Sequence, residues 1–237
     1  MLRLIFFIPV LVISTTISAI LALLVGLLNP YGRYATAVFR GWARSLLLAA
    51  GIKPEISGLE NIEPEKSYIL IANHQSHMDI PVLTCVLPVP LRIIAKKELF
   101  KIPFLGWGMK GVGMLSIDRS NRKKSIDTLK EAEEIIKTHV LSILAFPEGT
   151  RSDDGKIHPF KKGPFILAIN TGLPLLPVSV SGTRKITPKG KISIHPGRVK
   201  VIIHPPVSTD NLTLGDRHKL VEDFQKTIQK GFIENYE

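Results

Sequence analysis

The chain has 237 residues, of which 45% are hydrophobic, and a formal net charge of +11 at pH 7. This length gives room for one substantial α/β domain plus an appended segment, and the charge argues against an ordinary acidic cytosolic protein. The single cysteine, Cys85, excludes an internal disulfide framework, and we expect it to be a small buried apolar side chain. Because neither a CxxC pair nor an HExxH helix occurs, the sequence predicts no metal site.

The basic residues are concentrated in particular stretches of the chain. No Asp or Glu occurs in 1–53 or in 155–209, and two acids oppose nine basic side chains over 89–124. Such concentrations of positive charge attract anionic lipid head groups, phosphate-bearing substrates or nucleic acid. Nucleic acid is not expected as a partner, because the sequence shows no binding motif and no alternation of aromatic and basic residues. The charge pattern therefore favours a membrane containing anionic lipids.

The N-terminal segment is almost continuously apolar. Residues 4–32 contain no charged side chain, and about 20 residues suffice for a helix to cross the hydrocarbon core of a bilayer. A cleaved signal peptide is the competing interpretation, but its apolar region usually covers only about 7–15 residues. We therefore expect a membrane-associated helix. Pro9 and the polar residues 14–16 leave open whether this helix spans the bilayer or turns back within one leaflet.

A second helix with a different pattern is expected over residues 31–52. Val38, Trp42 and Leu46 recur at intervals of four, whereas arginines occupy the other faces. An amphipathic basic helix of this kind is suited to the head-group region, or it packs on the soluble domain, and the two interpretations are compatible. We expect Gly51 to end it, so that 1–52 form N-terminal membrane-anchoring helices and 53–237 form the α/β domain.

Short β-rich runs then alternate with helical patterns. Strands are expected at 54–58, 68–72, 91–95, 113–117, 141–146, 175–181, 191–195 and 200–204. Helices are expected near 77–86, 104–112, 122–138, 163–172 and 213–234. This alternation predicts an α/β fold, with a mixed, mainly parallel sheet flanked by helices.

The stretch "IANHQSHMDI" ends a buried strand with several polar groups. His74 and Asp79 would diverge by about 140° on one continuous helix. They meet more easily if His74 lies in the strand-to-helix turn and Asp79 in the first helical turn, with Ser76 as N-cap. Asp79 could then accept a hydrogen bond from one imidazole nitrogen and leave the other as a base. The bare pattern occurs often by chance, and taken alone it favours a solvated surface turn over a catalytic pair.

A second polar stretch, "AFPEGTRSDDGKIHPFKKGPF", follows another apolar strand. It contains Glu148, Gly149, Thr150 and Arg151. Gly149 permits an unusual backbone turn, and the planar guanidinium of Arg151 can bind a phosphate at two points. The alternative is a capping turn with an exposed Arg–Glu pair.

A third stretch, residues 95–119, combines lysines with apolar backbone rich in Gly and Pro. Lys96, Lys97 and Lys101 lie at its start. Five apolar residues of this stretch could line a groove for an acyl chain or pack in the core: Phe100, Pro103, Phe104, Leu105 and Trp107.

Four stretches in this order resemble the blocks of the glycerolipid acyltransferase family, which includes the 1-acylglycerol-3-phosphate acyltransferases: "NHQSHMD", "KKELFKIPFLGW", "FPEGTRS" and "LPLLPVSVSG". The resemblance covers residues 55–210 and implies transfer of an acyl group from a thioester to the sn-2 hydroxyl of a lysophosphatidic acid-like lipid, giving phosphatidic acid. It implies that His74 is the base and Asp79 its orienting partner. It further implies contacts to the acceptor and its phosphate from Lys96, Glu148, Gly149, Thr150 and Arg151.

The resemblance also implies the partners of the reaction. No cofactor or metal is expected, and the co-substrate is an acyl thioester of coenzyme A or of acyl carrier protein. The expected location is the inner (cytoplasmic) membrane, with the active site at the cytoplasmic face. The alternatives are an acyltransferase for another lysophospholipid or a lyso-amino-acid lipid, and a non-catalytic lipid-binding membrane protein. A hydrolase acting through Ser76 is disfavoured, because no GxSxG elbow occurs.

Overall fold

The computed structural model describes residues 2–118 and 120–236. It begins with two antiparallel helices, α1 (Leu2–Leu28) and α2 (Arg33–Ala50), which with residues 29–32 form what we call the N-terminal hairpin. Helix α2 ends, as predicted, at Gly51, whose positive φ of 67° allows its N–H to bond back to the last turn. Within the described residues, α1 contains one segment, Arg3–Leu28, that is long and apolar enough to cross a membrane.

Seven strands form one sheet in the order β1-β7-β6-β2-β5-β3-β4. They are β1 (Ile52–Ser57), β2 (Ile69–Ala72), β3 (Leu91–Lys96), β4 (Leu115–Ile117), β5 (Ser142–Ala145), β6 (Leu175–Ser181) and β7 (Gly197–Ile203). Neighbouring strands are parallel except β6 and β7, which are antiparallel. The predicted α/β fold with a mixed, mainly parallel sheet is confirmed.

The remaining α-helices cover the two faces of the sheet. They are α3 (Asp79–Val86), α4 (Leu105–Gly111), α5 (Arg122–Thr138), α6 (Gly163–Thr171), α7 (Thr183–Ile186) and α8 (Arg217–Gly231). Short 3₁₀ turns occupy Leu59–Asn61 and Lys97–Lys101. The five helices expected after residue 53 are present, and the short α7 was not predicted.

The strand expected at 191–195 is wrong. Its alternating pattern is typical of a strand, but these residues form a loop. The backbone N–H groups of this segment donate to nearby residues and not to a neighbouring strand. Lys191 N–H donates to the carbonyl of Pro188, and His195 N–H donates to the carbonyl of Ile186. We call residues 187–194 the rim loop.

Two hydrophobic layers sandwich the sheet. Along β2, Leu70 and Ala72 face the layer that contains α1, α2 and α3, while Ile69 and Ile71 face the layer formed with α5, α6 and α8. Because both faces are covered, the central strands are apolar throughout. The N-terminal hairpin shares the first of these cores with the sheet, and the expected division at residue 52 stays a prediction.

Helix α1 packs against α4 with the two backbones close together. A Cβ atom on Gly111 would lie 2.5 Å from the carbonyl of Ala22, and one on Gly26 would lie 2.5 Å from the carbonyl oxygen of Gly111. Small residues at these positions therefore permit the close approach. Away from this contact, α1 presents an exposed apolar face: Ile5, Phe6, Ile8, Val12, Ile13, Ile17, Ile20, Leu21, Leu24, Leu27 and Leu28.

Helix α2 docks on the α/β domain, which confirms one of its two interpretations. Arg40 donates to the carbonyls of Leu87 and Val89, in the α/β domain, at 2.9 and 3.1 Å. Within the hairpin, the indole of Trp42 donates to Thr15 Oγ1 of α1 at 3.0 Å. Contact of α2 with lipid head groups stays a prediction.

The turn of the hairpin is held by a buried arginine that sequence reasoning missed. Arg92, on β3, is fully buried and donates to the carbonyl of Pro30 at 2.9 Å and to Thr36 Oγ1 at 3.2 Å. Burial lowers the pKa of Arg92 to about 10, because desolvation penalises the charged form. Arg92 therefore joins the hairpin to the sheet through neutral acceptors.

Candidate active site

The candidate site is built on residues 73–79 between β2 and α3, which we call the His74 turn. The first residue of this turn, Asn73, is fully buried and holds the start of the turn in place. The Asn73 side chain donates to the carbonyl of Val180 and accepts from the N–H of Val180, both at 2.8 Å. The amide thus continues the pairing of β2 with β6 beyond the last strand residue.

His74 and Asp79 are in contact, as the sequence pattern suggested. His74 Nδ1 lies 2.7 Å from Asp79 Oδ2, which also accepts the backbone N–H groups of Gln75 at 2.7 Å and Ser76 at 2.8 Å. A carboxylate only accepts, so Nδ1 carries the proton and Nε2 keeps its lone pair. No residue in 2–118 or 120–236 hydrogen-bonds to Nε2. The geometry therefore leaves a basic nitrogen available at a half-buried histidine.

The imidazole ring is also held on its face. The ring of Phe146, which follows β5, stacks on His74 with centroids 4.1 Å apart and an interplanar angle of 19°. Together with Asp79, this contact restricts the ring to one orientation.

Ser76 is not the N-cap that we expected. Helix α3 begins at Asp79, so Met78 takes the cap position and Asp79 itself collects the backbone N–H groups of the turn. The Ser76 hydroxyl accepts from Met78 N–H at 3.2 Å and bonds to Thr187 of the rim loop.

Glu148 supports the His74 turn from the neighbouring loop. It is buried, with Oε1 accepting the N–H of His74 at 2.7 Å and Oε2 accepting the N–H of His158 at 2.9 Å. Burial raises the pKa of Glu148, although these N–H groups lower it. From the same loop, Ser152 N–H donates to the carbonyl of His74 at 2.9 Å. Both backbone groups of His74 are therefore held, and Glu148 positions the histidine.

Arg151 is presented toward a cavity by residues 146–162, which we call the Arg151 loop. Gly149 has a positive φ of 77°, and a Cβ there would lie 2.7 Å from Lys161 Nζ. Thr150 is exposed, and Arg151 is half-buried and lines the cavity. The Arg151 guanidinium makes no hydrogen bond or ion pair within the described part of the chain. It is therefore available to an anion.

His77 lies beside Arg151 at the cavity. Partial burial, followed by the positive charge of Arg151, lowers the pKa of His77 to about 4, even though the side chain reaches solvent. His77 is therefore neutral at pH 7 and adds no positive charge beside Arg151.

The cavity has a volume of about 970 Å³ and is mainly apolar. Its walls come from α1, α2, the segment 93–114 and the rim loop, and its lining also includes His77 and Met78 of the His74 turn, but not His74 itself. Of the five residues proposed for a groove, three line this cavity: Pro103, Phe104 and Leu105. Phe100 instead packs partly buried against the core, and Trp107 lies on the surface.

Lys96 lies at the carboxyl end of β3, exposed, and is not among the cavity-lining residues. Its ammonium is 3.6 Å from Glu98. The neighbouring Lys97 forms an ion pair with Asp118 at 2.6 Å. A contact of Lys96 to phosphate stays a prediction.

Two residues of the rim loop contact the site and escaped sequence reasoning. Thr187 bonds to Ser76, and Lys189 Nζ donates to the carbonyl of Arg151 at 2.8 Å and pairs with Asp153 at 2.7 Å. No local sequence pattern marks these two residues, because their partners lie 111 and 38 residues away along the chain.

Cys85 is half-buried and packs against the first core. Burial raises the pKa of its thiol, although the charges of Arg44 and Arg40 lower it. Among residues 2–118 and 120–236, no group of three or more His, Cys, Asp or Glu could hold a metal ion.

Known proteins are similar to this chain in sequence. The model of the family described as Acyltransferase matches residues 53–181. The 1-acyl-sn-glycerol-3-phosphate acyltransferase LPAT1, chloroplastic, of Arabidopsis thaliana is 37% identical over 93% of this chain and 64% of its own length. The 1-acyl-sn-glycerol-3-phosphate acyltransferase of Saccharomyces cerevisiae is 40% identical over 83% of this chain and 64% of its own.

A solved structure is also similar. The crystal structure of the 1-acyl-sn-glycerophosphate (LPA) acyltransferase PlsC from Thermotoga maritima has a TM-score of 0.82 and 30% identity, and covers 97% of this chain and 93% of that one. By contrast, the chain spans 53% to 64% of the length of the first curated relatives. With the family model covering more than half of the residues, the chain belongs to the Acyltransferase family.

Proposed function

We propose that this protein transfers a fatty acyl group from a thioester to the sn-2 hydroxyl of 1-acyl-glycerol 3-phosphate, giving phosphatidic acid for phospholipid synthesis. The observation that carries the proposal is the pairing of His74 Nδ1 with Asp79 Oδ2 at 2.7 Å, next to the Arg151 loop, whose Ser152 N–H bonds to the carbonyl of His74. The names of relatives that match most of this chain support the choice of acceptor.

In the proposed reaction, His74 Nε2 removes the proton of the acceptor hydroxyl as its oxygen attacks the thioester carbonyl. Asp79 stabilises the imidazolium that forms, because its carboxylate already accepts from Nδ1. As the C–S bond breaks, the imidazolium returns the proton to the thiolate. The products are the ester and a free thiol, and His74 is neutral again.

Direct attack requires no acylated enzyme, and the two candidate nucleophiles are poorly suited to form one. The Ser76 hydroxyl is bonded to Thr187 and to the N–H of Met78, and burial raises the pKa of Cys85. A thiol with a raised pKa is a weak nucleophile at neutral pH. We therefore propose that both substrates are bound together before the reaction.

Arg151 is proposed to bind the acceptor phosphate. Its planar guanidinium can form two parallel bonds to phosphate oxygens, and its backbone is held by Lys189 and by the Ser152–His74 bond. The phosphate contact and the base are thus mounted on two segments that are hydrogen-bonded to each other. Thr150, Gly149 and Lys96 are proposed to contribute to the same acceptor site.

The apolar cavity is proposed to hold an acyl chain. Its volume of about 970 Å³ lies at the upper end of the range of about 300–1,000 Å³ found for ligand pockets. Because its lining includes His77 and Met78 of the His74 turn, a chain within it would place a reacting group near His74.

We also propose that α1 attaches the protein to the membrane from which the lipid acceptor comes. Its exposed apolar face and its length support this attachment. In the proposed location, the inner membrane, the active site faces the cytoplasm, where acyl-CoA or acyl carrier protein would deliver the donor.

The proposal is tested by supplying the purified protein with a panel of lysolipids and both donor types and identifying the products by mass spectrometry. Phosphatidic acid formed from lysophosphatidic acid, and lost in His74→Ala, is expected. Preferential acylation of another lysophospholipid would show that this lipid, and not lysophosphatidic acid, is the acceptor. Absence of acyl transfer to every lysolipid would favour a lipid-binding protein and refute the proposal.

A further inference from the structure

The imidazole of His74 is contacted from two directions by two different kinds of side chain. Asp79 lies at its edge, with Oδ2 2.7 Å from Nδ1. Phe146 lies on its face, with the ring centroids 4.1 Å apart and the ring planes inclined by 19°. The face of an aromatic ring carries partial negative charge. The phenyl ring therefore presents negative charge to the imidazole in addition to restricting its orientation.

Phe146 is placed on this face by the sheet. It is the residue after β5, and the parallel register that pairs Ile71 with Ala145 brings it beside the end of β2, where the His74 turn begins. Its carbonyl accepts the N–H of Gly149 at 3.0 Å, which closes the first turn of the Arg151 loop. Its side chain packs, half-buried, against the first core. The ring is therefore held in place independently of any substrate, as preorganised stabilisation of charge requires.

The stacked pair is largely removed from water. The side chain of His74 is 15% exposed, and Phe146 is half-buried. A cation within about 6 Å of an aromatic centroid is attracted to the ring face, and the attraction is larger where water is excluded. The separation of 4.1 Å lies well within that distance. A positive charge on this imidazole would therefore be stabilised by the phenyl ring.

The ionisable groups around the imidazole act at other positions. Asp79 is at the ring edge, and Glu148 accepts the backbone N–H of His74 at 2.7 Å. His77 and Arg151 lie at the cavity. A phenyl ring stacked at 4.1 Å covers one face of the imidazole, so Phe146 is the group that meets charge on that face.

The charge of the imidazole changes during the proposed reaction. It is neutral before the reaction and becomes positive as Nε2 takes the proton of the acceptor hydroxyl. The phenyl face attracts the imidazolium more strongly than the neutral ring, and an interaction that strengthens toward the transition state accelerates the reaction. A carboxylate at this place would instead favour the protonated ring throughout and so remove the base. A phenyl ring stabilises the charge without accepting the proton.

We propose that Phe146 is a positioning residue that acts through His74: it fixes the plane of the imidazole and stabilises the imidazolium that forms during acyl transfer. Asp79 supports the ring at its edge, and Phe146 supports it on its face. The proposal rests on the function proposed above for His74 as the base. It adds a residue whose contribution depends on the electron density of its ring.

Fluorinated phenylalanines at position 146 separate this electrostatic contribution from packing. Each fluorine withdraws electron density from the ring face and changes the size of the ring little, so phenylalanines that carry one, two or three fluorine atoms form a graded series. The single-turnover rate constant of the full chain in detergent is measured with lysophosphatidic acid and acyl-CoA, so that product release does not mask the chemical step. The same analogues at Phe165 are the matched control, because Phe165 is fully buried in the other core and pairs with Phe224.

We expect the rate constant to fall with each fluorine at position 146. The acceptor KM should stay unchanged, because Phe146 is not among the residues that line the cavity. The attraction of a cation to an aromatic face corresponds to about 2- to 30-fold in rate. Phe146→Leu, which keeps an apolar side chain without a ring, should show a fall within this range. The analogues at position 165 should leave the rate constant unchanged.

Three results would overturn the proposal. The rate constant is the same throughout the series at position 146, even if Phe146→Leu is slow; it rises with fluorination; or it falls equally for the analogues at position 165. The first of these would leave Phe146 with a packing role alone. His74→Ala in the same assay tests the base separately. Normal turnover of that variant would contradict the function proposed for His74, whereas lost turnover together with a flat fluorine series would contradict only the role of Phe146.

Discussion

The His74 turn and the N-terminal hairpin are both tightly held, but by different interactions. In the turn, two buried carboxylates, Asp79 and Glu148, accept backbone N–H groups and an imidazole N–H. Around the hairpin, the backbone of α1 approaches that of α4 closely through Gly26 and Gly111, and Arg92 donates to neutral acceptors in the hairpin turn. The turn fixes the direction of particular atoms, whereas the hairpin fixes the separation of whole helices.

This difference predicts two kinds of mutational effect. Hydrogen bonds to a carboxylate are directional, so changes in the turn should alter the reaction more than the stability. Close packing is sensitive to volume, so changes in the hairpin should alter stability and the cavity wall that α1 and α2 provide.

The largest effect is expected for His74→Ala, which removes the base from the turn. General base catalysis contributes about 10²–10⁴-fold, so turnover should fall by that order. The protein should still fold, because the buried Asp79 carboxylate keeps the N–H groups of Gln75 and Ser76, although loss of its imidazole partner will lower the free energy of unfolding. Steady-state assays and thermal unfolding of the same preparation provide the measurement. A folded His74→Ala protein with normal turnover would refute the mechanism.

The packing of the hairpin on α4 is tested by Gly111→Ala, in α4, against Gly41→Ala. The Cβ at residue 111 would lie 2.5 Å from backbone atoms of Ala22, and overpacking of this kind costs about 1–3 kcal/mol. Gly41, within α2, has no atom within 4 Å of a Cβ, so alanine there should stabilise the helix by up to about 1 kcal/mol. Chemical denaturation in detergent measures both. Equal effects of the two substitutions would show that the α1–α4 contact is not tight.

Two residues of the Arg151 loop should separate positioning from binding. Glu148→Gln keeps the shape but loses one acceptor for a backbone N–H, so kcat should fall about tenfold, the equivalent of one lost hydrogen bond to a charged group, with the acceptor KM unchanged. Arg151→Lys keeps the charge and loses the planar fork, so the acceptor KM should rise with the donor KM unchanged. If Glu148→Gln raises the acceptor KM instead, Glu148 contacts the lipid as the family resemblance implies.

The sequence identifies the order of elements and the chemistry of the turn, since strand and helix periods and the spacing of His74 and Asp79 are local patterns. It places the two residues together only through the resemblance, because a spacing of five alone is ambiguous. The mixed, mainly parallel sheet with flanking helices also follows from the alternation of strand and helix patterns, whereas the antiparallel pairing of β6 with β7 was not predicted.

Contacts between distant segments were missing from the sequence prediction. Glu148 reaches His74 across 74 residues, Thr187 reaches Ser76 across 111, and Arg92 reaches Pro30 across 62. The periodicity of apolar residues along the sequence does not reveal contacts between residues so far apart in the chain. In the rim loop the local pattern was misleading, because Ile192 and Ile194 alternate as in a strand although one is exposed and the other is buried in the core.

The smallest effect expected concerns His77, at the border between the turn and the cavity. Its folded pKa of about 4 lies below the ordinary value of 6.5. The folded state therefore binds fewer protons than the unfolded state between these values, so stability is fully present above pH 6.5 and is lost as the pH falls toward 4. His77→Asn should flatten this part of the curve of unfolding free energy against pH, while His218→Asn, at an exposed position on α8, should leave its shape unchanged. The loss will be modest, because the side chain reaches solvent and screening reduces it. Identical pH curves for wild type and His77→Asn would show that the imidazole is not penalised on protonation, and the lowered pKa assigned to His77 would be wrong.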